Sequence, residues 1–139
     1  MKILLAVTAI IEVGAGLALG CCPSAAVALL LGSPLDTPAA VTIGRLAGAA
    51  LLALGIACWL GRDDAQSRAA RGLVAAMVVY NLGAVVLFTF AGVGLGLRGV
   101  LLWPAVVLHT MMAVWCVRAS IMSGMSDPTS TGDLTSLKK

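Results

Sequence analysis

The stretch that decides the fold is Gly72–Gly96, GLVAAMVVYNLGAVVLFTFAGVGLG. It contains no charged side chain, and it exceeds the ~20 apolar residues that a helix needs to cross a bilayer. Its apolar residues run continuously instead of alternating, which argues against a strand of a membrane barrel. Because a backbone in lipid must satisfy its own hydrogen bonds, the stretch predicts a transmembrane helix.

Three further windows have the same character, at about residues 3–20, 41–60 and 99–118. The first contains one charged residue, Glu12, and the second contains Arg45. The chain of 139 residues is 60% hydrophobic and 11% charged, whereas soluble domains are about a quarter charged. This composition excludes soluble and disordered proteins. It predicts an all-α polytopic membrane protein, a bundle of four transmembrane helices in residues 1–120.

Two segments lie outside the four spans. Residues 23–32 are apolar but too short to cross a bilayer, and they begin with Pro23 and end with Gly32. Proline at a first helical turn and glycine at a helix end predict a short interfacial or re-entrant helix in the first outer loop. Residues 121–139 are rich in Ser, Thr, Gly and Asp, which predicts a disordered polar tail.

The basic residues predict the orientation, because Lys and Arg collect in cytoplasmic loops. One side of the predicted topology carries Lys2, Arg62, Arg68, Arg71, Arg118, Lys138 and Lys139. The other side carries Arg98, and also Arg45 if its side chain extends outward. We therefore expect both termini to be cytoplasmic, in a bacterial inner membrane. Tryptophan favours the headgroup level, and three tryptophans fall near predicted span ends as interface anchors: Trp59, Trp103 and Trp115.

Polar residues inside the spans are the candidate functional residues, because ionisable groups in a membrane are expensive and often functional. At a rise of about 1.5 Å per residue, Glu12, Asn81 and His109 all lie about 12–15 Å from a helix end. We expect a buried polar cluster with binding, proton-transfer or structural roles, made of Glu12, Arg45, Tyr80, Asn81 and His109. Two alternatives remain for Glu12: an ion pair with Arg45, or a protonated acid bonded to Asn81 or His109.

Small residues predict where the helices approach each other. Thr8, Glu12, Gly16 and Gly20 share one face of the first span, and Gly44 and Gly48 lie four apart in the second. Glycines at this spacing let membrane helices pack closely. We therefore expect helix packing at Gly16, Gly20, Gly44 and Gly48.

The sequence contains no P-loop, HExxH or GxSxG motif, so it predicts no catalytic site. Met111 and Met112 beside His109 suggest haem or a metal only weakly, since packing explains methionines better. The predicted topology divides the four cysteines between the two membrane faces. We expect no metal site and no cofactor. The net charge of +3 is explained by topology, and no nucleic-acid partner is expected.

Several segments together resemble a family of small uncharacterised bacterial four-span membrane proteins. They are Gly44-Arg45-Leu46-Ala47-Gly48, Tyr80-Asn81, and Leu101-Leu102-Trp103-Pro104 followed by His109. The resemblance covers the chain to about Arg118. It implies a four-helix membrane bundle with a glutamate in the first span, and it implies no activity. The Cys21-Cys22 pair and the polar tail have no counterpart in that family.

The segment Ala9-Ile10-Ile11-Glu12-Val13 is similar to the first span of small multidrug resistance transporters. In that family a first-span glutamate exchanges protons for cationic drugs. This likeness implies a proton or cation site at Glu12. The other spans do not follow that family, and the first outer loop is longer.

Three functions follow from these features. The favoured one is a structural or accessory subunit of a membrane assembly, with the lipid bilayer, other membrane subunits or further copies of the chain as partners. The alternative is a small-molecule or proton-coupled transporter or binding protein with a midplane site around Glu12 and His109. The third, a membrane enzyme or cofactor carrier using His109, has the least support.

Overall fold

The computed structural model describes residues 1–64 and 67–124, and its regular elements in these ranges are five helices. Their bounds are α1 (Lys2–Cys21), α2 (Pro23–Leu31), α3 (Pro38–Gly61), α4 (Arg68–Val93) and α5 (Leu102–Gly124). Within this part of the chain, α1, α3, α4 and α5 are long and apolar enough to cross a membrane. The all-α prediction with four candidate spans is thus confirmed.

The exposure of the apolar side chains supports a lipid environment. Only 17–33% of the residues in each candidate span are buried inside the protein. Large side chains such as Ile43, Leu60 and Val79 remain about 70% exposed, at 68%, 73% and 73%. A monomeric soluble protein rarely exposes contiguous apolar surface on this scale. Lipid is the solvent that such a surface fits.

The helix boundaries differ from the expected ones where a local interaction starts or extends a helix. The Ser67 hydroxyl accepts a hydrogen bond from the Ala70 backbone N–H at 3.1 Å, so α4 begins at Arg68 rather than at Gly72. Helix α5 begins at Leu102, after a turn in which the Leu102 N–H donates to the Gly99 carbonyl at 3.1 Å.

Helix α5 also continues to Gly124, past the expected start of the polar tail at residue 121. Ile121 and Met122 are apolar, and this explains why the helix runs through them. The prediction that the tail is disordered from residue 121 onward is therefore wrong for residues 121–124. The remainder of that predicted tail, 125–139, lies outside the described residues.

The four long helices form two antiparallel pairs. Helix α1 packs along α3, and α4 packs along α5. The end of the bundle at which α1 begins and α5 ends is here named the termini end, and the opposite one the α2 end. At the termini end, buried side chains from all four helices form one core: Leu4, Leu5, Ala9, Cys58, Ala70, Val74, Met77, Met112 and Cys116.

The close contact between α1 and α3 depends on glycines, which have no side chain. A Cβ atom added to Gly48 would lie 2.6 Å from the Gly20 backbone nitrogen and 2.8 Å from the Gly16 carbonyl oxygen. Gly55, which the sequence prediction does not include, approaches α1 in the same way. A Cβ there would lie 3.0 Å from the Val13 nitrogen. These contacts bring the two helix backbones together, as small residues do in membranes.

The four predicted packing glycines do not all have this role. Gly16 and Gly48 face each other, and the backbone of Gly20 meets Gly48 although a Cβ on Gly20 would contact nothing within 4 Å. Gly44 instead faces Pro23 and Leu35, in and beyond α2. Gly44 therefore lets the first outer loop approach α3, whereas Gly48 lets α1 approach it.

The short helix α2 closes the α2 end of the bundle by contacting α1, α3 and α5. It begins at Pro23 and ends at Leu31, and it is capped by Gly32, whose φ of +82° favours glycine. The Leu101 N–H donates to the Leu29 carbonyl at 3.0 Å, and a Cβ on Gly99 would collide with the backbone of Leu30. The loop before α5 therefore packs directly against α2 and is hydrogen-bonded to it.

Candidate functional site

Glu12 is the most buried ionisable residue of the predicted cluster. It lies in the middle of α1 and is 3% exposed. The Tyr80 hydroxyl on α4 donates a hydrogen bond to its carboxyl group. Since α1 and α4 belong to different helix pairs, this hydrogen bond links the two pairs inside the bundle.

A second hydrogen bond joins α4 to α5. His109 Nδ1 lies 2.8 Å from Asn81 Oδ1, and Asn81 Nδ2 donates to the Met77 carbonyl at 2.8 Å. Because the Asn81 amide nitrogen is used as a donor, its oxygen is the acceptor that faces His109. Nδ1 of His109 must therefore carry the proton. In the neutral imidazole, Nε2 is then the acceptor.

Aromatic contacts connect the two hydrogen-bonded pairs. The Tyr80 and His109 rings meet edge to face, with centroids 5.6 Å apart and an interplanar angle of 79°. Phe88 covers another side of the imidazole, with ring centroids 5.7 Å apart. The cluster is consequently one continuous set of contacts from Glu12 through Tyr80 and His109 to Asn81. It spans α1, α4 and α5.

Thr8 lies one helical turn before Glu12 on the same face of α1, and it is 1% exposed. Its hydroxyl oxygen is buried without a hydrogen-bond partner among the described residues. A hydroxyl of this kind can donate to the carbonyl four residues earlier in its own helix, but no such bond is formed here. Thr8 was not among the predicted site residues, although its spacing from Glu12 was the available signal.

Arg45 does not join the cluster, contrary to the sequence prediction. Its side chain is exposed, whereas its neighbours Gly44 and Gly48 on α3 are buried. With 3.6 residues per turn, a residue next to Gly44 points about 100° away from the glycine face. The two ion pairs found among the described residues involve Lys2, Arg62 and Asp63, so the proposed Glu12–Arg45 pair is not formed.

The three tryptophans lie near helix ends with large parts of their rings exposed. The exposed fractions are 46% for Trp59, 52% for Trp103 and 40% for Trp115. Trp59 and Trp115 lie toward the termini end, and Trp103 lies toward the α2 end. The Arg62 guanidinium also sits 3.6 Å from the centroid of the Trp59 ring. This placement suits side chains at the headgroup level.

The loop after α3 carries a small charge network. Lys2 Nζ lies 2.8 Å from one Asp63 oxygen, and Arg62 lies 3.5 Å from the other. The hydrogen bond from Lys2 and the positive charges of Arg62 and Lys2 hold the pKa of Asp63 below its ordinary value. The pairs are exposed, so their contribution to stability is small. They connect the beginning of α1 to the end of α3.

The cysteines divide between the surface and the core. Cys58 and Cys116 are buried at the termini end, while Cys21 and Cys22 are exposed at the α2 end. Within the described part of the chain, no three His, Cys, Asp or Glu side chains are arranged to hold a metal ion. The cluster around Glu12 is thus a set of hydrogen-bonding groups, with His109 Nε2 as its acceptor nitrogen.

Four long apolar helices with mostly exposed surfaces, joined by a polar cluster in the bundle, define this chain as an integral membrane protein. No protein-family model, curated protein or solved structure was found to match it. Function must therefore be argued from the site itself.

Proposed function

We propose that this protein is a structural or accessory subunit of an assembly in a bacterial cytoplasmic membrane, with both termini cytoplasmic. The hydrogen bond from Tyr80 to Glu12 carries the proposal. It connects the α1–α3 pair to the α4–α5 pair, whose helices pack less closely across the two pairs than within each pair. In this function the polar cluster fixes how the pairs are positioned against each other.

The pairing within the cluster supports this structural role. Glu12 is engaged by Tyr80, and His109 is engaged by Asn81, which also bonds to its own helix. Polar residues of this kind join membrane helices, each hydrogen bond contributing about 0.6 kcal/mol on average. The exposed apolar faces of α3 and α4 leave room for other membrane helices, which an accessory subunit needs.

The test is purification at native expression level in a mild detergent, followed by mass spectrometry of the intact complex. We expect a membrane protein partner at fixed stoichiometry. Glu12→Gln keeps the size and hydrogen-bonding capacity of the side chain, so this variant should retain the partner. A protein that purifies alone from its native membrane, or a Glu12→Gln variant that folds but loses the partner, would contradict the proposal.

A second candidate function is a proton-coupled transporter or binding protein, and the Thr8 hydroxyl is the observation that favours it. A buried hydroxyl without a partner, one turn from a buried carboxyl group, leaves hydrogen-bonding capacity for a bound molecule. Glu12 would then exchange a proton, as the first-span likeness to small multidrug resistance transporters implies.

Proteoliposomes separate the two functions. A transporter of this kind takes up the cation tetraphenylphosphonium when a proton gradient is imposed, and loses uptake in Glu12→Gln. Thr8→Ala, which removes the unpartnered hydroxyl, should also lower uptake. Thr42→Ala is its matched control, because the Thr42 hydroxyl already bonds to the Pro38 carbonyl at 2.8 Å. Uptake that is absent, or equal with and without the gradient, argues against transport and leaves the structural role.

A further inference from the structure

An apolar groove runs between α1 and α5 at the termini end, beyond the polar cluster. Its volume is about 1060 Å³. Val7 and Ile11 line it from α1, and Leu108, Met111 and Trp115 line it from α5. The two helices make few contacts with each other, and this leaves the groove open along its side.

The groove has the depth of one leaflet. Arg118 is its charged residue near the termini end, and Leu108 lies near the middle of the bundle. Their separation of ten positions corresponds to about 15 Å along a helix, which is half of the ~30 Å hydrocarbon core. At the α2 end, α2 contacts both α1 and α5 and occupies the corresponding space. The groove is therefore restricted to one half of the membrane.

The mouth of the groove carries a positive charge, Arg118. Arg118 is exposed, and no acidic side chain among the described residues pairs with it. Two of the other cations at this end, Lys2 and Arg62, pair with Asp63. Trp115, 40% exposed, lies three residues before Arg118 on the same helix face. An aromatic ring and a cation at this depth are suited to lipid headgroups.

We propose that this groove binds an anionic phospholipid from the leaflet at the termini end. One acyl chain lies along Val7, Ile11 and Leu108, and the phosphate lies against Arg118. A helix of a second copy would need an open surface across the whole membrane, whereas this groove ends near the midplane. The depth and the charge at the mouth therefore favour a lipid over another protein chain.

The first test is native mass spectrometry of the full chain with phosphatidylglycerol and phosphatidylethanolamine that carry identical acyl chains. We expect one phosphatidylglycerol to be retained in preference. Arg118→Gln should weaken its binding about fivefold, the effect of one cation near an anionic surface. Arg45→Gln, which removes an exposed arginine on α3, is the matched control and should bind as the unchanged protein does. Equal retention of the two lipids, or equal effects of the two substitutions, would overturn the proposal.

A second pair of variants tests the apolar part of the groove. Val7→Trp fills it, and Val79→Trp places the same ring on α4, where Val79 is 73% exposed and does not line this groove. We expect only Val7→Trp to lose the bound lipid while both variants keep the melting temperature of the unchanged protein. Lipid retained in a folded Val7→Trp variant would overturn the assignment. If the unchanged protein is instead a dimer without bound lipid, and Val7→Trp makes it monomeric, then the groove binds a second copy of the chain.

Discussion

Tyr80 is the residue through which the polar cluster joins three helices. Its hydroxyl donates to Glu12 on α1, and its ring meets the edge of His109 on α5. A phenylalanine in its place would keep the ring contact and lose only the hydrogen bond. Replacing Tyr80 by phenylalanine therefore separates the contribution of the hydrogen bond to stability from that of ring packing.

A double-mutant cycle measures that polar contribution. We expect Tyr80→Phe to lower the free energy of unfolding by about 0.6 kcal/mol, the average for interhelical hydrogen bonds in membranes. In a Glu12→Leu background, Tyr80→Phe should have almost no effect, because its acceptor is already absent. Thermal unfolding of the four proteins in one detergent gives the coupling energy. Additive effects of the two substitutions would show that these side chains do not interact.

His109 is the single histidine of the chain, and this makes its protonation directly observable. The contact with Asn81 Oδ1 requires the proton on Nδ1. Nitrogen NMR of histidine-labelled protein should therefore show one imidazole in the Nδ1–H form. Asn81→Ala removes the acceptor, so the proton should no longer be confined to Nδ1 in this variant.

Thr110→Ala is the control for this spectrum. Thr110 follows His109 directly, but its hydroxyl bonds to the Val106 carbonyl of its own helix at 2.7 Å. This variant should leave the Nδ1–H form unchanged. A proton found on Nε2 in the unchanged protein would mean that the Asn81 amide is turned the other way.

At the scale of the helices, contact between α1 and α3 depends on glycines that face backbone atoms. The atoms nearest to a Cβ on Gly48 belong to the backbones of Gly20, Gly16 and Leu19. Backbone atoms cannot move aside by a rotamer change, so an added methyl group must push the helices apart. Overpacking of this kind costs about 1–3 kcal/mol.

We therefore expect Gly48→Ala to lower the melting temperature clearly. Gly83→Ala is the matched control, since Gly83 lies within α4 and a Cβ there would meet nothing within 4 Å. The control should be neutral or slightly stabilising, because alanine favours a helix over glycine. Equal melting temperatures of the two variants would mean that α1 and α3 are not in close contact at Gly48.

Hydropathy was sufficient to predict the four long helices, because the bilayer requires a long apolar run that is visible in the residues themselves. The side of the helix on which each residue lies was harder to predict. Arg45 belongs to the same span as Gly44 and Gly48, yet the helical rotation between neighbours places it on the exposed surface. Gly55 and Gly99 were not predicted as contact positions, because their partners, Val13 and Leu30, lie far away in the sequence. Such pairings arise only when the helices are assembled.

At the scale of the whole molecule, the orientation in the membrane remains a prediction, and the cysteines offer a direct test of it. Cys21 and Cys22 are exposed at the α2 end, whereas Cys58 and Cys116 are buried at the termini end. If both termini are cytoplasmic, the α2 end faces outward. A membrane-impermeant maleimide added to intact cells should then label the protein.

Two variants make this labelling specific. Replacing Cys21 and Cys22 by Ser should abolish labelling of intact cells, because the remaining described cysteines are buried in the core. Asp64→Cys in that background places an exposed thiol after α3, at the termini end, and should be labelled only after the cells are opened. The reverse pattern would invert the topology. It would also move the basic residues to the outer face, against the charge asymmetry from which the orientation was inferred.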